Sequence, residues 1–214
     1  MSSPSQRTVV HLLRHGEVDN PTGVLYGRLP NFHLSENGVL MAKRAAATLA
    51  GLDIVALISS PLERAIETAT PVSEQLGLPI RTDDRLLEPT NHFEGRTFGV
   101  GDGALKHPSN WRHVRNPFRP SWGEPYEHVA TRMLAAIASA RDAARGHEAV
   151  CVSHQLPIWV ARLKIERRHL WHDPRRRQCA LGSLTSLIFV GDDIVDIRYV
   201  EPSGAAGAGE VGGA

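Results

Sequence analysis

Cysteine is scarce in this 214-residue chain, which contains Cys151 and Cys179 and no other. Two cysteines without a Cys-x-x-Cys pair provide neither a disulfide framework nor a thiolate zinc motif. The eleven histidines do not show the spacing of zinc ligands either. The sequence therefore predicts a reduced protein that needs no metal ion and no cofactor.

An excess of charge of one sign and long apolar runs are also missing. Lysine and arginine total 24 against 23 aspartates and glutamates, so the net charge of +1 creates no field that attracts nucleic acid or anionic membranes. The apolar runs are too short to span a bilayer, and no signal core is found at the start. We expect a cytoplasmic protein without a nucleic-acid or membrane partner, either a monomer or a homodimer.

Short apolar segments that alternate with helical patterns make up most of the chain. The segments that predict buried strands, the last two as a hairpin, are 8–13, 53–58, 148–153, 184–189 and 194–199. Helical patterns begin near Ser35, Ser60, Glu124 and Leu156. The first two serines are expected to cap their helices. This alternation predicts an α/β fold, a three-layer sandwich in which helices flank a mixed, mostly parallel sheet.

Composition divides the chain into one domain and three irregular segments. Residues 1–6 and the Gly/Ala-rich tail 203–214 are expected to be flexible or disordered. Periodicity is also lost at 95–123, where Gly, Pro, His, Trp and Arg accumulate. We therefore expect a single domain over 7–202 with a lid inserted around 95–123.

The tripeptide Arg14-His15-Gly16 stands where the first predicted strand ends and a polar loop begins. Open α/β sheets usually bind ligands at the carboxyl ends of their strands. A histidine at that place can act as a nucleophile, and a neighbouring arginine can hold the anion that it attacks. The tripeptide alone is weak evidence, so the rest of the chain decides its meaning.

Other polar residues also fall where strands end or helices begin. Arg64 lies in a Ser-x-x-x-Arg-Ala-x-x-Thr-Ala motif, on the first turn of the helix after the second strand. A cation there opposes the helix dipole, which favours an anionic partner. His154 follows a strand directly in Val-Ser-His, and Glu88 follows a short strand near residue 80. The basic run at 175–177, by contrast, is expected to be a solvated face.

Together these motifs resemble the histidine phosphatase superfamily, which includes the cofactor-dependent phosphoglycerate mutases. The likeness extends from Val9 to Pro202 and includes a Leu-Ser-x-x-Gly motif at 34–38. It implies a phosphoglycerate mutase-like fold and catalysis through a phosphohistidine on His15. His154 would be the second histidine of the pocket, which binds the phosphoryl group and assists its transfer.

The resemblance also implies roles for three further side chains. Arg14 and Arg64 would bind the phosphate and neutralise its charge in place of a metal. Glu88 would be the general acid that protonates the leaving alkoxide. Glu94 is the alternative acid, because the family segment that ends Trp-Glu-Gly reads Phe-Glu-Gly at 93–95 and is one residue shorter.

Departures from the family pattern concern residues nearer the substrate. Asn20 comes one residue early, and Gln155 replaces the glycine that commonly follows the second histidine, where it narrows the pocket or adds a polar contact. The cations of the predicted lid either contact a carboxylate or second phosphate of the substrate or are solvated. The candidate substrate-binding residues are Asn20, Tyr26, Gly27, Arg115 and Arg119.

The resemblance leads to a metal-independent phosphomonoesterase that hydrolyses a small phosphorylated metabolite. A phosphomutase is the first alternative, but the Gly/Ala tail has no aromatic or basic residue with which to cover a substrate. A non-catalytic binding or regulatory protein is the second alternative. The presence of both histidines and both arginines argues against it, because degenerate members usually lose one of them.

Overall fold

The computed structural model describes residues 7–91, 94–95 and 123–204. The strands in chain order are β1 (Arg7–Arg14), β2 (Ile54–Ser59), β3 (Ile80–Thr82), β4 (Glu148–Ser153), β5 (Leu184–Val190) and β6 (Asp193–Val200). The helices are α1 (Glu36–Leu49), α2 (Glu63–Leu76), α3 (Tyr126–Ala143) and α4 (Gln155–Ile165), with 3₁₀ turns at Asp84–Leu86 and Pro174–Arg176. The predicted lid and flexible ends lie almost entirely outside the described residues and stay predictions.

The six strands form one mixed sheet in the order β3-β2-β4-β1-β5-β6. The first four strands of the chain run parallel to one another, whereas β5 and β6 are antiparallel to their neighbours. The predicted α/β fold with a mostly parallel sheet and a terminal hairpin is therefore confirmed. Within the described part of the chain, no helix combines the length and apolar character that crossing a bilayer requires.

The core consists of two apolar clusters that share the central strands. Leu12 packs in one cluster with residues of α3 and α4, and its neighbour Leu13 packs in the other with residues of α1 and α2. In β4, Cys151 packs in the first of these clusters and Val152 packs in the second. Central strands buried on both faces carry continuous apolar sequences, which explains why these segments do not alternate with polar residues.

The N-terminal cap of α1 is the one that the sequence predicts, whereas that of α2 is not. Ser35 caps α1 as predicted, because its side chain accepts a hydrogen bond from the N–H of Gly38 at 3.0 Å. The capping box predicted at Ser60 is wrong: α2 begins at Glu63 after an uncapped Leu62. The hydroxyl of Ser60 is instead engaged by a ring nitrogen from the end of β4, as described below.

Two glycines allow the start of α1 to lie against the loop that follows β1. A Cβ on Gly38 would lie 2.0 Å from the carbonyl oxygen of Glu17, and one on Gly16 would lie 2.5 Å from the carbonyl oxygen of Gly38. Ser35 also donates to the Glu17 carboxylate from its hydroxyl. This backbone contact fixes the loop that carries the Arg-His-Gly motif.

Replacing Gly38 with alanine is expected to lower the free energy of unfolding by roughly 1–3 kcal/mol, the usual cost of overpacking. The new Cβ would meet a backbone oxygen, which cannot rotate away as a side chain can. Urea unfolding followed by circular dichroism measures the change. Lys43→Ala, on the exposed side of the same helix, is the control and should change stability by less than about 0.5 kcal/mol. Wild-type stability in Gly38→Ala would contradict the close approach.

Candidate active site

The strand order brings three distant motifs to one edge of the sheet. β1 and β4 are parallel neighbours in which Arg14 pairs with Ser153, so His15 and His154 leave adjacent strand ends. The N–H of His15 donates to the carbonyl of Ser153 at 3.1 Å. β2 ends on the other side of β4 and leads into α2, which carries Arg64.

Four side chains are buried together, with relative exposures between 0% and 4%: Arg14, His15, Arg64 and His154. The ring centroids of His15 and His154 are 5.1 Å apart, with 57° between the ring planes. Nη2 of Arg64 lies 3.4 Å from Nδ1 of His154. The structure thus brings together the two histidines and two arginines that the sequence proposes for one oxyanion site.

Among the described residues, the surroundings of His15 leave one ring nitrogen without a partner and keep the ring neutral. Its Nδ1 lies 2.7 Å from the carbonyl oxygen of Gly16, which can only accept, so Nδ1 carries the proton and Nε2 carries a lone pair. Burial, followed by the charges of Arg64 and Arg14, holds the pKa of His15 well below its ordinary value of 6.5. A neutral imidazole with an available lone pair is what nucleophilic attack requires.

The two arginines retain donors that no described residue satisfies. Nη1 of Arg14 donates to the carbonyl of Cys179 at 2.7 Å, and Nη2 of Arg64 donates to the carbonyl of Gly27 at 2.6 Å. Nε of Arg14 and both Nε and Nη1 of Arg64 are buried without a hydrogen-bond partner among the described residues. Unpaired buried guanidinium N–H groups are costly, and an oxyanion such as a phosphoryl group would satisfy several at once.

The positive charge of the site comes from these guanidinium groups. In residues 7–91, 94–95 and 123–204, no three His, Cys, Asp or Glu side chains are grouped so that they could hold a metal ion. Burial lowers the pKa of Arg64, and the nearby carboxyl of Glu88 acts in the opposite direction. The arrangement presents two guanidinium groups to an anion.

His154 connects the arginines to a hydroxyl and a carboxyl group. Its Nε2 lies 2.8 Å from Oγ of Ser60, and its Nδ1 lies 3.9 Å from Oε2 of Glu88. Because the Arg64 guanidinium can only donate, its contact with Nδ1 places the proton of a neutral ring on Nε2, which then donates to Ser60. Burial and the charge of Arg64 hold the pKa of His154 well below its ordinary value.

The two candidate acids occupy different environments. Glu88 is 6% exposed, and burial raises its pKa, although Arg64 and Arg177 act to lower it. Glu94 is partly exposed, and its Oε1 accepts from the backbone N–H of Asn91 at 3.1 Å. Glu88 therefore resembles a proton donor, whereas Glu94 is used in the local backbone structure.

The predicted substrate-binding residues separate into three groups. Asn20 makes its hydrogen bonds within its own loop. Its side-chain amide donates to the carbonyl of Val24 at 2.8 Å and accepts from the N–H of Val24 at 3.1 Å. Tyr26 lies against the site, with its ring centroid 4.7 Å from Cζ of Arg64, and Gly27 accepts from Arg64 as described above. Arg115 and Arg119 lie outside the described residues.

Glu88 also lines a cavity of about 130 Å³. Residues of its wall include Leu25, Gly27, Glu88, Tyr126, Leu156 and Arg177. The basic run at 175–177 was expected to be solvated, and this holds for its first two residues, but Arg177 lines the cavity. Nothing in the local pattern distinguishes the third arginine of the run, so sequence reasoning missed it.

The chain is similar to proteins with several activities. An uncharacterized Mycobacterium tuberculosis protein is 56% identical over 198 residues, covering 92% of this chain and 98% of that protein. A 2,3-bisphosphoglycerate-dependent phosphoglycerate mutase of Thermoplasma acidophilum is 42% identical over 158 residues, covering 70% of this chain and 72% of that protein. The solved structure of a mycobacterial glucosyl-3-phosphoglycerate phosphatase is 24% identical with a TM-score of 0.69, covering 91% of this chain and 97% of that one.

The identity to the solved structure is low, so that comparison supports the fold alone. The decisive match is to the family model of the histidine phosphatase superfamily, branch 1, which extends over residues 10–200. It covers nearly all of the described sheet and both histidine motifs, and it confirms the resemblance found in the sequence. The chain belongs to branch 1 of the histidine phosphatase superfamily.

Proposed function

We propose that this protein is a metal-independent phosphomonoesterase that hydrolyses a small phosphorylated metabolite through a phosphohistidine on His15. The observation that carries the proposal is the neutral His15 ring with a free Nε2, buried beside Arg14 and Arg64. Both arginines have donors available for the phosphoryl oxygens. Their charges would also neutralise the dianion that otherwise repels a nucleophile.

In the first step, Nε2 of His15 attacks phosphorus in line with the ester oxygen. The new N–P bond forms as the P–O bond to the alcohol breaks, and the leaving oxygen takes the electron pair. Glu88 supplies the proton that converts this alkoxide into an alcohol, since burial keeps its carboxyl protonated to a higher pH than usual.

In the second step, water attacks the phosphohistidine. Glu88, now a carboxylate, removes a proton from the water as the new O–P bond forms and the N–P bond breaks. The electron pair of that bond returns to Nε2 of His15, inorganic phosphate leaves, and Glu88 is again protonated. The carboxyl thus alternates between acid and base, and each full turnover consumes one water.

His154 would donate a hydrogen bond to the phosphoryl group once its ring is protonated. Its Nδ1 faces Arg64 and Glu88, while its Nε2 is held by Ser60. A phosphoryl dianion close by raises the pKa of an imidazole and favours its charged form. A protonated His154 then donates from Nδ1 to an oxygen of the group that moves between alcohol, His15 and water.

A phosphomutase is the second candidate, favoured by the similarity to the Thermoplasma acidophilum mutase. A mutase must protect its phosphohistidine from water until the phosphoryl group returns to the substrate. The two activities are separated by incubating the protein with phosphorylated metabolites, with and without a bisphosphate primer. Release of inorganic phosphate supports the phosphatase, and primer-dependent isomerisation without release supports the mutase.

Replacing His15 with alanine is expected to reduce turnover of 4-nitrophenyl phosphate by at least about 10³-fold, because the nucleophile is lost. The control is His128→Ala, which removes an exposed histidine on α3 and should leave the rate unchanged. Alkaline quenching with ³²P-labelled substrate should trap phosphoprotein in the wild type but not in His15→Ala. A wild-type rate in His15→Ala would exclude the nucleophilic role.

Replacing Glu88 with glutamine is expected to slow phosphoryl transfer from alkyl phosphates by about 10²-fold or more, the usual contribution of a general acid. Aryl phosphates should lose much less in this step, because phenolate leaving groups need little protonation. Single-turnover quenching isolates the transfer from the later hydrolysis. Glu94→Gln is the matched control, and equal losses for both leaving groups in Glu88→Gln would shift the role to Glu94.

The pH dependence of alkyl phosphate turnover follows from the two pKa directions. The pKa of His15 is lowered, so the nucleophile should stay neutral as the pH falls through 6.5. The pKa of Glu88 is raised above 4.5, so the acid is present at low pH and is lost as the pH rises through that higher value. We expect single-turnover rates at saturating substrate to decline on the alkaline side, and this decline should vanish in Glu88→Gln. A loss of rate centred near pH 6.5 on the acid side would contradict a neutral His15.

A further inference from the structure

Arg177 lies in the wall of the cavity that Glu88 also lines. It directly follows the 3₁₀ turn Pro174–Arg176, whose two arginines are exposed. Arg177 instead turns inward, and burial lowers the pKa of its guanidinium. One basic run therefore contains two solvated cations and one that faces a cavity.

Neutral groups hold this guanidinium in place. Its Nε donates to Nε2 of His172 at 2.8 Å, and its Nη1 donates to Oε1 of Gln155 at 3.1 Å. Nδ1 of His172 lies 2.6 Å from the carbonyl of Leu170, which places the ring proton there and leaves Nε2 as an acceptor. Burial lowers the pKa of His172, which keeps that ring neutral.

Neither Glu88 nor Glu124 in the cavity wall forms an ion pair with Arg177. Burial lowers the pKa of Arg177, and Tyr126 and Glu88 oppose this effect in part. Glu124 is shared by Arg132, at 2.9 Å and 3.0 Å, and by Arg28, at 3.4 Å. Burial favours the protonated form of Glu88. Among the described residues no carboxylate lies within ion-pair distance of Arg177. A cation that is partly removed from water without a counterion favours binding of an anion.

Gln155 also connects Arg177 to the phosphate-binding end of the site. Its Nε2 is 3.5 Å from the carbonyl oxygen of Cys179, and the same oxygen accepts from Nη1 of Arg14 at 2.7 Å. The side chain that departs from the family glycine thus spans the space between the two arginines. Protein contacts therefore hold both guanidinium groups in place.

We propose that Arg177 is a specificity-determining residue that binds a second negatively charged group of the substrate, a carboxylate or a phosphate. The inference rests on the proposed function, since it places the first phosphoryl group at Arg14 and Arg64. The carbon chain between the two anionic ends would lie along the apolar wall that Leu25 and Leu156 provide. The substrate class is a short phosphomonoester that is negatively charged at both ends.

Binding of non-hydrolysable phosphonates tests this assignment without requiring turnover. Isothermal titration calorimetry compares propylphosphonate, which has one anionic end, with 3-phosphonopropionate and propane-1,3-bisphosphonate, which have two. We expect the wild type to bind at least one two-ended probe about tenfold more tightly than propylphosphonate, the scale of one charge-assisted hydrogen bond. The better of the two identifies the second group as a carboxylate or a phosphate.

Substitution of Arg177 tests whether this residue causes the preference for two-ended probes. Arg177→Met should abolish the tenfold preference, whereas Arg177→Lys, which keeps the charge, should retain part of it. Arg176→Met is the matched control, because it removes the adjacent exposed arginine, and it should keep the full preference. Circular dichroism shows whether each variant is folded, and the lysine variant decides the question if the methionine variant is not.

Two results would overturn the assignment: equal affinity of the wild type for all three probes, or an unchanged preference in folded Arg177→Met. Neither result would touch the proposed phosphatase activity, which depends on turnover of 4-nitrophenyl phosphate. Conversely, a protein that binds two-ended probes through Arg177 but hydrolyses no phosphomonoester would refute the proposed function and leave the binding role of Arg177 intact.

Discussion

The site depends on one electrostatic constraint: two guanidinium groups are buried beside two imidazoles. Positive charge next to a histidine opposes its protonation, and burial acts in the same direction. Burial, and after it the charges of Arg64 and Arg14, therefore lower the pKa of both His15 and His154. The field that attracts an oxyanion also keeps the proposed nucleophile unprotonated. A single arrangement of charges thus serves binding and reactivity together.

The sheet makes this arrangement possible. Two like charges repel each other, so the fold must hold the two guanidinium groups close together. Arg14 and Arg64 are anchored by backbone carbonyls, from Cys179 and Gly27, that belong to segments far away in the chain. Thr68 ties these parts together, since its hydroxyl accepts from the N–H of Gly16 and donates to the carbonyl of Arg64. The apolar clusters on both faces of the sheet hold the strands that carry the motifs.

The two parts of the proposed substrate site would recognise charge by different means. At the strand ends, both arginines have buried donors without partners among the described residues, so a bound oxyanion would complete their hydrogen bonds. In the cavity wall, Arg177 is held by the neutral acceptors of His172 and Gln155, which position its charge without cancelling it. Glu88 belongs to both parts, since it lies 3.9 Å from His154 and lines the cavity, and burial rather than a neighbouring anion raises its pKa.

The sequence by itself determined the fold class, the strands and the motifs that tertiary structure brings to one edge. It could do so because strands buried on both faces have short, continuous apolar sequences. Polar residues directly after such strands are recognisable as candidate ligand-binding residues. Local pattern was a poor guide to Ser60, predicted as a helix cap and found beside His154 across 94 positions of sequence. It was equally poor for Arg177, whose two identical neighbours are solvated. Only the tertiary structure decided these cases, because the partner of each side chain comes from a segment that sequence spacing does not relate to it.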